Sequence, residues 1–277
     1  MRLSIFTTVT EPLIRQDLVI PALECYNDLA DEIVVVDGSP NMDWYAGTDV
    51  TWNRRVGKEW PKEFYWPFIG EQFQTGYEIA TGDWVIHADL DFIFHERDFQ
   101  AIRKACERYP DTPALSFWKY QFILPDRYII KSRITLAVNK KVFGDRIRFD
   151  SGGDLCQPSL DGEYLDPGTI VEARVPVYNY EKIIKTKEQI AEDQGRMERA
   201  WQRHFGKYQM GSDGTDASAY NVWHEAQRGK FDKPQEHIAL NDHPKYMKNV
   251  IKSLKPEHFG YNGFGMIEGR VYESSMR

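Results

Sequence analysis

The sequence predicts an α/β fold, a mixed sheet flanked by helices with a helical extension at the C-terminus. Three observations carry this expectation. Short runs that are apolar on both faces, such as "IVVV", alternate with segments whose apolar residues recur at helical spacing. Two long β-rich stretches, "PALSFWKYQFI" and "RYIIKSRITLAVNK", then follow one another closely, which adds antiparallel members to the sheet. The last part of the chain is polar and reads as short helices.

The elements follow in order. "LSIFTTV" is β-branched and apolar, the profile of a buried strand. "EPLIRQDLVIPALECYNDLA" has near-helical spacing, with Pro21 opening a helical turn. Ile33 to Asp37 are apolar until the last residue, as in a strand inside a parallel sheet, and Gly38, Ser39 and Pro40 force a turn. Strand, helix and strand make a right-handed crossover unit. Residues 44–66 are irregular and aromatic. "GEQFQTGYEIATGD" reads as a helix with Phe73, Tyr77 and Ala80 on one face, stopped by Gly82 before a strand at 84–88. "ERDFQAIRKACERYP" is a helix closed by Pro110. "RFDSGGDLCQPSLDGEYLDPG" has too many Gly, Asp and Pro residues for regular structure and reads as a functional or mobile loop. "TIVEARVPVYNY" returns as a strand. "KTKEQIAEDQGRMERAWQRHFG" is a long helix ending at Gly206, its charge run a solvated face. With no clean linker and no internal repeat, the expected organisation is one domain over 1–205 and a helical extension over 206–277.

The bulk composition narrows the function classes. Formal charge is −7, which argues against non-specific nucleic-acid binding through a basic face, although a local patch survives such a balance. The three cysteines lie far apart with no CxxC pair, so neither a disulfide framework nor a zinc site is expected, and a reducing cytoplasm suits them. The N-terminus is too short and too polar for a signal peptide, and no run approaches the ~18 apolar residues of a membrane span. A cytoplasmic protein is the expectation. Aromatic residues make up 14%, which fits either a well-packed core or a surface that stacks on sugars or bases.

The chemistry concentrates in "ATGDWVIHADLDF". An apolar strand ends in Asp89-Leu90-Asp91. Side chains alternate along a strand, so the two acids are expected on one side with Leu90 turned away. Like charges so close are tolerated together when a dication neutralises them, and oxygen ligands suit Mg²⁺ or Mn²⁺ with coordination sites left for phosphates. Ligands of open α/β sheets sit beyond the carboxyl ends of strands, where Asp37 and this pair both lie. The other reading of the triplet is a solvated turn.

"SIFTTVT", "DEIVVVDGSP" and "GYEIATGDWVIHADLDF", in this order, resemble the nucleotide-sugar-binding half of GT-A-fold glycosyltransferases, in particular the family-2-like group. The similarity spans 3–94. It implies a Rossmann-like GT-A sheet, a nucleotide-sugar donor (a UDP-sugar above all), Mn²⁺ or Mg²⁺, and a DXD motif. It divides the first domain into a donor half at 1–94 and an acceptor half at 95–205. Carried over by position, Thr8 and Glu11 would line the nucleoside pocket and Asp37 would contact the base or ribose. Asp89 would lie near ribose and metal, and Asp91 would ligate the metal. Asp37 is alternatively a turn former, and Val36 departs from the family's two successive acids. Arg54 and Arg55 either reach the diphosphate or are surface residues.

Inverting transfer needs a carboxylate to deprotonate the acceptor hydroxyl. In the resembled family an acid downstream of the DXD motif serves. Asp154 in "SGGDL" is the first candidate and Asp161 the second, within loop 150–168. For a third metal ligand, His243 in "NDHPKYM" is the candidate, the alternative being a loop residue. His87 either adjoins the metal or packs in its strand, and Trp118 and Tyr120 either stack on an acceptor or pack. The expected function is metal-dependent transfer of a sugar to an unidentified hydroxyl acceptor. The rivals are a nucleotidyltransferase, disfavoured because "TTVTEPLIRQ" has no glycine, and a non-catalytic sugar-nucleotide binder.

Overall fold

The computed structural model describes residues 1–46 and 52–272. Strand β1 (Leu3–Val9) leads through α1 (Val19–Leu29) to β2 (Glu32–Asp37), and β3 (Arg54–Gly57) follows. Helix α2 (Phe68–Ile79) precedes β4 (Trp84–His87), a short β5 (Phe92–Ile93) and α3 (Phe99–Arg108). The hairpin of β6 (Ala114–Leu124) and β7 (Arg127–Val138) is followed by the single turn α4 (Lys140–Phe143). Next come β8 (Ile147–Ser151), β9 (Gln157–Leu160), β10 (Glu163–Tyr164) and β11 (Val171–Asn179). Helices α5 (Lys187–Phe205) and α6 (Asp216–Phe231), strand β12 (Glu236–His237), and helices α7 (Lys245–Lys252) and α8 (Phe259–Asn262) complete the described chain.

The main sheet runs β3-β2-β1-β4-β7-β6-β11-β5, with β12 added to β7. The first four strands are parallel, while β7 is antiparallel to both β4 and β6. This is the expected mixed α/β sheet. Alternation along β1 builds two cores, one per face. Ile5 joins Ile33, Val35 and Ile86 under α1, α3 and α7. Phe6 joins Val34 and Val85 under Phe73 and Tyr77 of α2 and Ala200 of α5. Residues 206–272 pack into the same body: Met247 and Ile251 enter the first core, and Trp223 and Phe259 form a third cluster with Leu124 and Ile190.

Three local differences from the sequence reading have physical causes. The helix expected from residue 11 starts at Val19. Residues 10–18 form turns with Glu11 and Gln16 at positive φ, and Pro21 occupies the helix's first turn, where no N–H is needed. The loop at 150–168 contains β9 and β10, which with β8 make a second, three-stranded antiparallel sheet. Its β9–β10 hairpin turns on Asp161 and Gly162, both at positive φ (52° and 84°), as a two-residue Asp-Gly loop requires. Finally, α5 is not a solvated face: Asp193, Arg196 and Glu198 are buried.

Candidate functional site

A cleft of about 430 Å³ opens beyond the C-terminal ends of β1 and β4. One wall is the turn after β1, with Thr8, Arg15 and Asp17. The floor is Asp89-Leu90-Asp91, and the far wall is the segment after β11 together with α5, carrying Glu181, Lys182, Lys185, Asp193 and Arg196.

The acid pair sits in a turn, because β4 ends at His87 and Phe92 N–H donates to Asp89 O (2.9 Å). Both acids and Leu90 line the cleft, so the strict alternation expected for a strand does not apply, yet both carboxylates still share the site. The turn is tied down from two sides. Tyr26 Oη donates to Asp89 O and lies 2.9 Å from Phe92 O, and Tyr180 N–H donates to Asp91 O at 2.8 Å. His87 packs between Phe6 and Phe73, and its Nε2 lies 3.3 Å from Asp89 Oδ1, close enough for charge interaction without hydrogen-bond alignment.

The pair is electrostatically unequal. Burial works to raise the Asp89 carboxyl, but His87, and to a lesser degree Lys119, hold it below the usual range. Burial, then the charges of Asp89 and Glu181, push Asp91 up to about 7 against the opposing pull of Lys182 and Asn179. Two oxygen-donor side chains short of positive charge fit a hard dication such as Mn²⁺ or Mg²⁺. Among the described residues no group of three or more His, Cys, Asp or Glu side chains is arranged to hold a metal, so the protein would supply the two carboxylates and little more.

Facing the pair is a charge network the sequence reading did not identify. Lys185 Nζ bridges Asp17 and Asp193 at 2.6 Å each, Arg15 Nη2 lies 3.0 Å from Asp193, and Lys182 Nζ lies 3.8 Å from it. Burial opposes the charge on Asp193, but Lys182, Lys185 and Arg15 prevail and hold its pKa at about 2. Lys182 itself has a positive φ of 69°, a conformation unusual for a side chain with a Cβ. The only trace in sequence was the acid-rich "AEDQGR" inside the helix predicted as solvated. On the same wall Arg196 stacks on Trp60 and Phe64, and among the described residues the buried Trp60 indole N–H has no acceptor.

The remaining candidates are distributed as follows. Thr8 lines the cleft. Glu11 is exposed, its N–H donating to Ser39 Oγ at 2.7 Å. Asp37 is buried and saturated: Ser39 N–H and Trp44 Nε1 donate to it, and Arg55 Nη2 lies 2.7 Å away. Arg55 also stacks over Tyr45 at 4.5 Å. Arg54 lies at the other end of β2, paired with Glu32 at 3.2 Å and donating to Ile79 O, so it does not reach the cleft. Neighbouring residues of a strand point to opposite faces, which separates the two arginines. Asp154 lies outside the cleft lining, with Gln157 donating to Oδ2 (3.0 Å), but its charge and that of Asp89 both act on the Cys156 thiol. Asp161 is exposed and paired with Arg146 on the outer hairpin. His243 is fully buried, its Nδ1 and Nε2 bonded to the hydroxyls of Tyr180 (2.7 Å) and Tyr272 (2.8 Å). Both ring nitrogens are thus engaged, and His243 is not brought to the acid pair.

No family model and no curated protein matches this sequence. Solved structures resemble it at low identity. The S. aureus TarS crystal structure is 12% identical with a TM-score of 0.44, the match covering 83% of this chain and 44% of that one. This chain therefore spans less than half the length of that TarS chain. A mannosyltransferase from Pyrobaculum calidifontis, in complex with GDP-Man and Mn²⁺, is 13% identical with a TM-score of 0.38, covering 83% and 72%. A nucleotidyl transferase from Methanothermobacter thermautotroptrophicus is 14% identical with a TM-score of 0.33, covering 60% and 88%. Likenesses this distant add no argument about chemistry, which rests on the cleft. No helix among the described residues is long and apolar enough to cross a membrane.

Proposed function

We propose that the cleft is the active site of a glycosyltransferase that moves a sugar from a nucleotide-sugar donor to an acceptor hydroxyl with inversion. One observation carries the reading: two carboxylates in a single anchored turn, at the carboxyl ends of parallel strands, face a cationic wall across a cleft of ligand size. A nucleoside diphosphate complements both walls. Asp89 and Asp91 would hold Mn²⁺ or Mg²⁺, which when bound supplies positive charge to the diphosphate leaving group. Lys182 and Arg15, at the cleft side of the Asp193 network, add fixed positive charge, and Trp60 offers its free indole N–H. A UDP-sugar is the proposed donor. Thr8 lines the donor end, and Asp37 with Arg55 and Trp44 stiffens the adjoining turn.

Inversion by direct attack needs a carboxylate that takes the acceptor proton. Two carboxylates serve the proposal: Asp154, expected from sequence, and Glu181, which the cleft adds, whereas Asp193 is held in its ion pairs with Lys185 and Arg15. Asn or Gln variants of each separate them, because the base is the residue whose loss lowers kcat while donor binding persists.

The test is turnover of a panel of nucleotide sugars by the wild type and by Asp91→Asn. The variant is expected to melt like the wild type and to lose about 10²–10³-fold in turnover, the usual scale for one electrostatic contact to developing charge. Full turnover in Asp91→Asn, or in excess chelator, overturns the role assigned to the acid pair.

A further inference from the structure

We propose that the acceptor carries a phosphate ester, and that Lys119, Lys131, Lys230 and Lys233 seat this phosphate beside the acid pair. The inference rests on the glycosyl-transfer reading only in calling that ligand the acceptor.

Two of the lysines meet across strands. The β6–β7 register passes from Trp118↔Arg133 to Tyr120↔Ile130, so Lys119 alone opposes Lys131 and Ser132 at a bulge. Like charges placed opposite one another destabilise an antiparallel pair. The other two come from the end of α6. Lys230 Nζ donates to Gln227 Oε1 at 2.8 Å, and Lys233 follows in the turn closed by its N–H to Lys230 O. The negative end of α6 accounts for lysines at 230 and 233, but not for the strand pair they approach.

Among the described residues none of the four forms an ion pair. The carboxylate that the charges of Lys230, Lys119 and Lys131 reach, Glu181, is already engaged by Lys182 at 3.5 Å and by the Gln121 amide at 3.3 Å. The four act on one another. Burial foremost, with Lys131, Lys119 and Lys233 adding and Glu181 opposing, brings Lys230 down to about 8. Partial burial and then Lys119 likewise lower Lys131, which like Lys233 is exposed to solvent. A cluster of mutually repelling cations on a protein of net charge −7 is stabilised by an anion, and four ammonium groups exceed what one carboxylate neutralises. A phosphate ester brings up to two charges and several acceptor oxygens. The position fits the acceptor: Lys119 lies two residues from Gln121 on β6, whose amide reaches Glu181 in the cleft lining at 3.3 Å, Phe231 beside Lys230 lies under Arg127 of β7 at 5.8 Å, and the charges of Lys230, Lys119 and Lys131 act on Glu181.

The test uses the intact protein in chelator, so that divalent metal at the acid pair contributes nothing. Two probes are titrated at several salt concentrations: glycerol 3-phosphate, a small monoester, and a short single-stranded oligodeoxynucleotide, a diester chain. Wild type is expected to bind at least one of them, and Lys131→Gln/Lys233→Gln to bind it about tenfold more weakly with an unchanged melting temperature. The control Lys62→Gln/Lys141→Gln, exposed lysines elsewhere, should stay within about twofold. Tighter oligonucleotide binding with a steep salt dependence assigns the phosphate to a diester chain, and equal or better glycerol 3-phosphate binding assigns it to a small monoester. Absence of binding by the wild type, or equal affinity in Lys131→Gln/Lys233→Gln, overturns the subsite and leaves donor turnover untouched. Absence of nucleotide-sugar turnover by the wild type instead removes the glycosyl-transfer reading and leaves the phosphate subsite standing.

Discussion

Replacing Asp193 with Asn tests whether the cationic wall of the cleft is held by one buried charge. The Asp193 side chain is 2% exposed, and Lys185, Arg15 and Lys182 lie 2.6, 3.0 and 3.8 Å away. Its pKa falls from the ordinary 3.8 to about 2, which corresponds to roughly 2 kcal/mol of stability. Because the folded value is the lower one, this contribution is complete above about pH 4 and fades as pH drops through 2. Breaking a buried pair from one side costs about 3–5 kcal/mol. Here the low end applies, because Lys185 keeps Asp17 at 2.6 Å and Lys182 keeps Glu181 at 3.5 Å. Asp193→Asn is therefore expected to lose about 3 kcal/mol at pH 7, or a melting-temperature drop of about 6–12 °C. Urea denaturation of both proteins at pH 7, 5 and 3 measures it. The deficit should be equal at pH 7 and 5 and smaller at pH 3. A deficit below about 1 kcal/mol at pH 7, or one that grows toward pH 3, refutes the network.

Three further outcomes are expected. Gly38→Ala places a Cβ 2.5 Å from Trp60 Cβ and 3.0 Å from its backbone N, so about 1–3 kcal/mol of stability should be lost with a shift in tryptophan fluorescence; an unchanged melt means the contact relaxes freely. Burial lowers His243 to about 4 from 6.5, so the unfolded chain binds its proton first and wild-type stability should rise by about 3 kcal/mol between pH 4 and 6.5; His243→Gln should lack that part of the slope, and identical slopes in urea melts refute the buried neutral ring. Gly206 ends α5 at φ +74° with open space around it, so Gly206→Ala should cost about 1 kcal/mol through backbone strain alone, read as a small drop in melting temperature.

By itself the sequence determined the local elements and the position of the acid pair. Apolar runs with flanking glycines and prolines mark β1, β2, β4 and α2, because burial on both faces and helix-terminating residues are properties of contiguous residues. Even the missed hairpin was written in its Asp161-Gly162 pair, a signal outweighed by the Gly, Asp and Pro residues around it. Only the tertiary structure decided which charges meet. Adjacent Arg54 and Arg55 separate to Glu32 and Asp37, Asp193 joins Arg15 and Lys185 from distant segments, and His243 is captured between Tyr180 and Tyr272. Composition and spacing record that a residue is charged. Whether it lies in solvent, in an ion pair or beside three like charges depends on which strands and helices pack across from it, and those contacts are non-local.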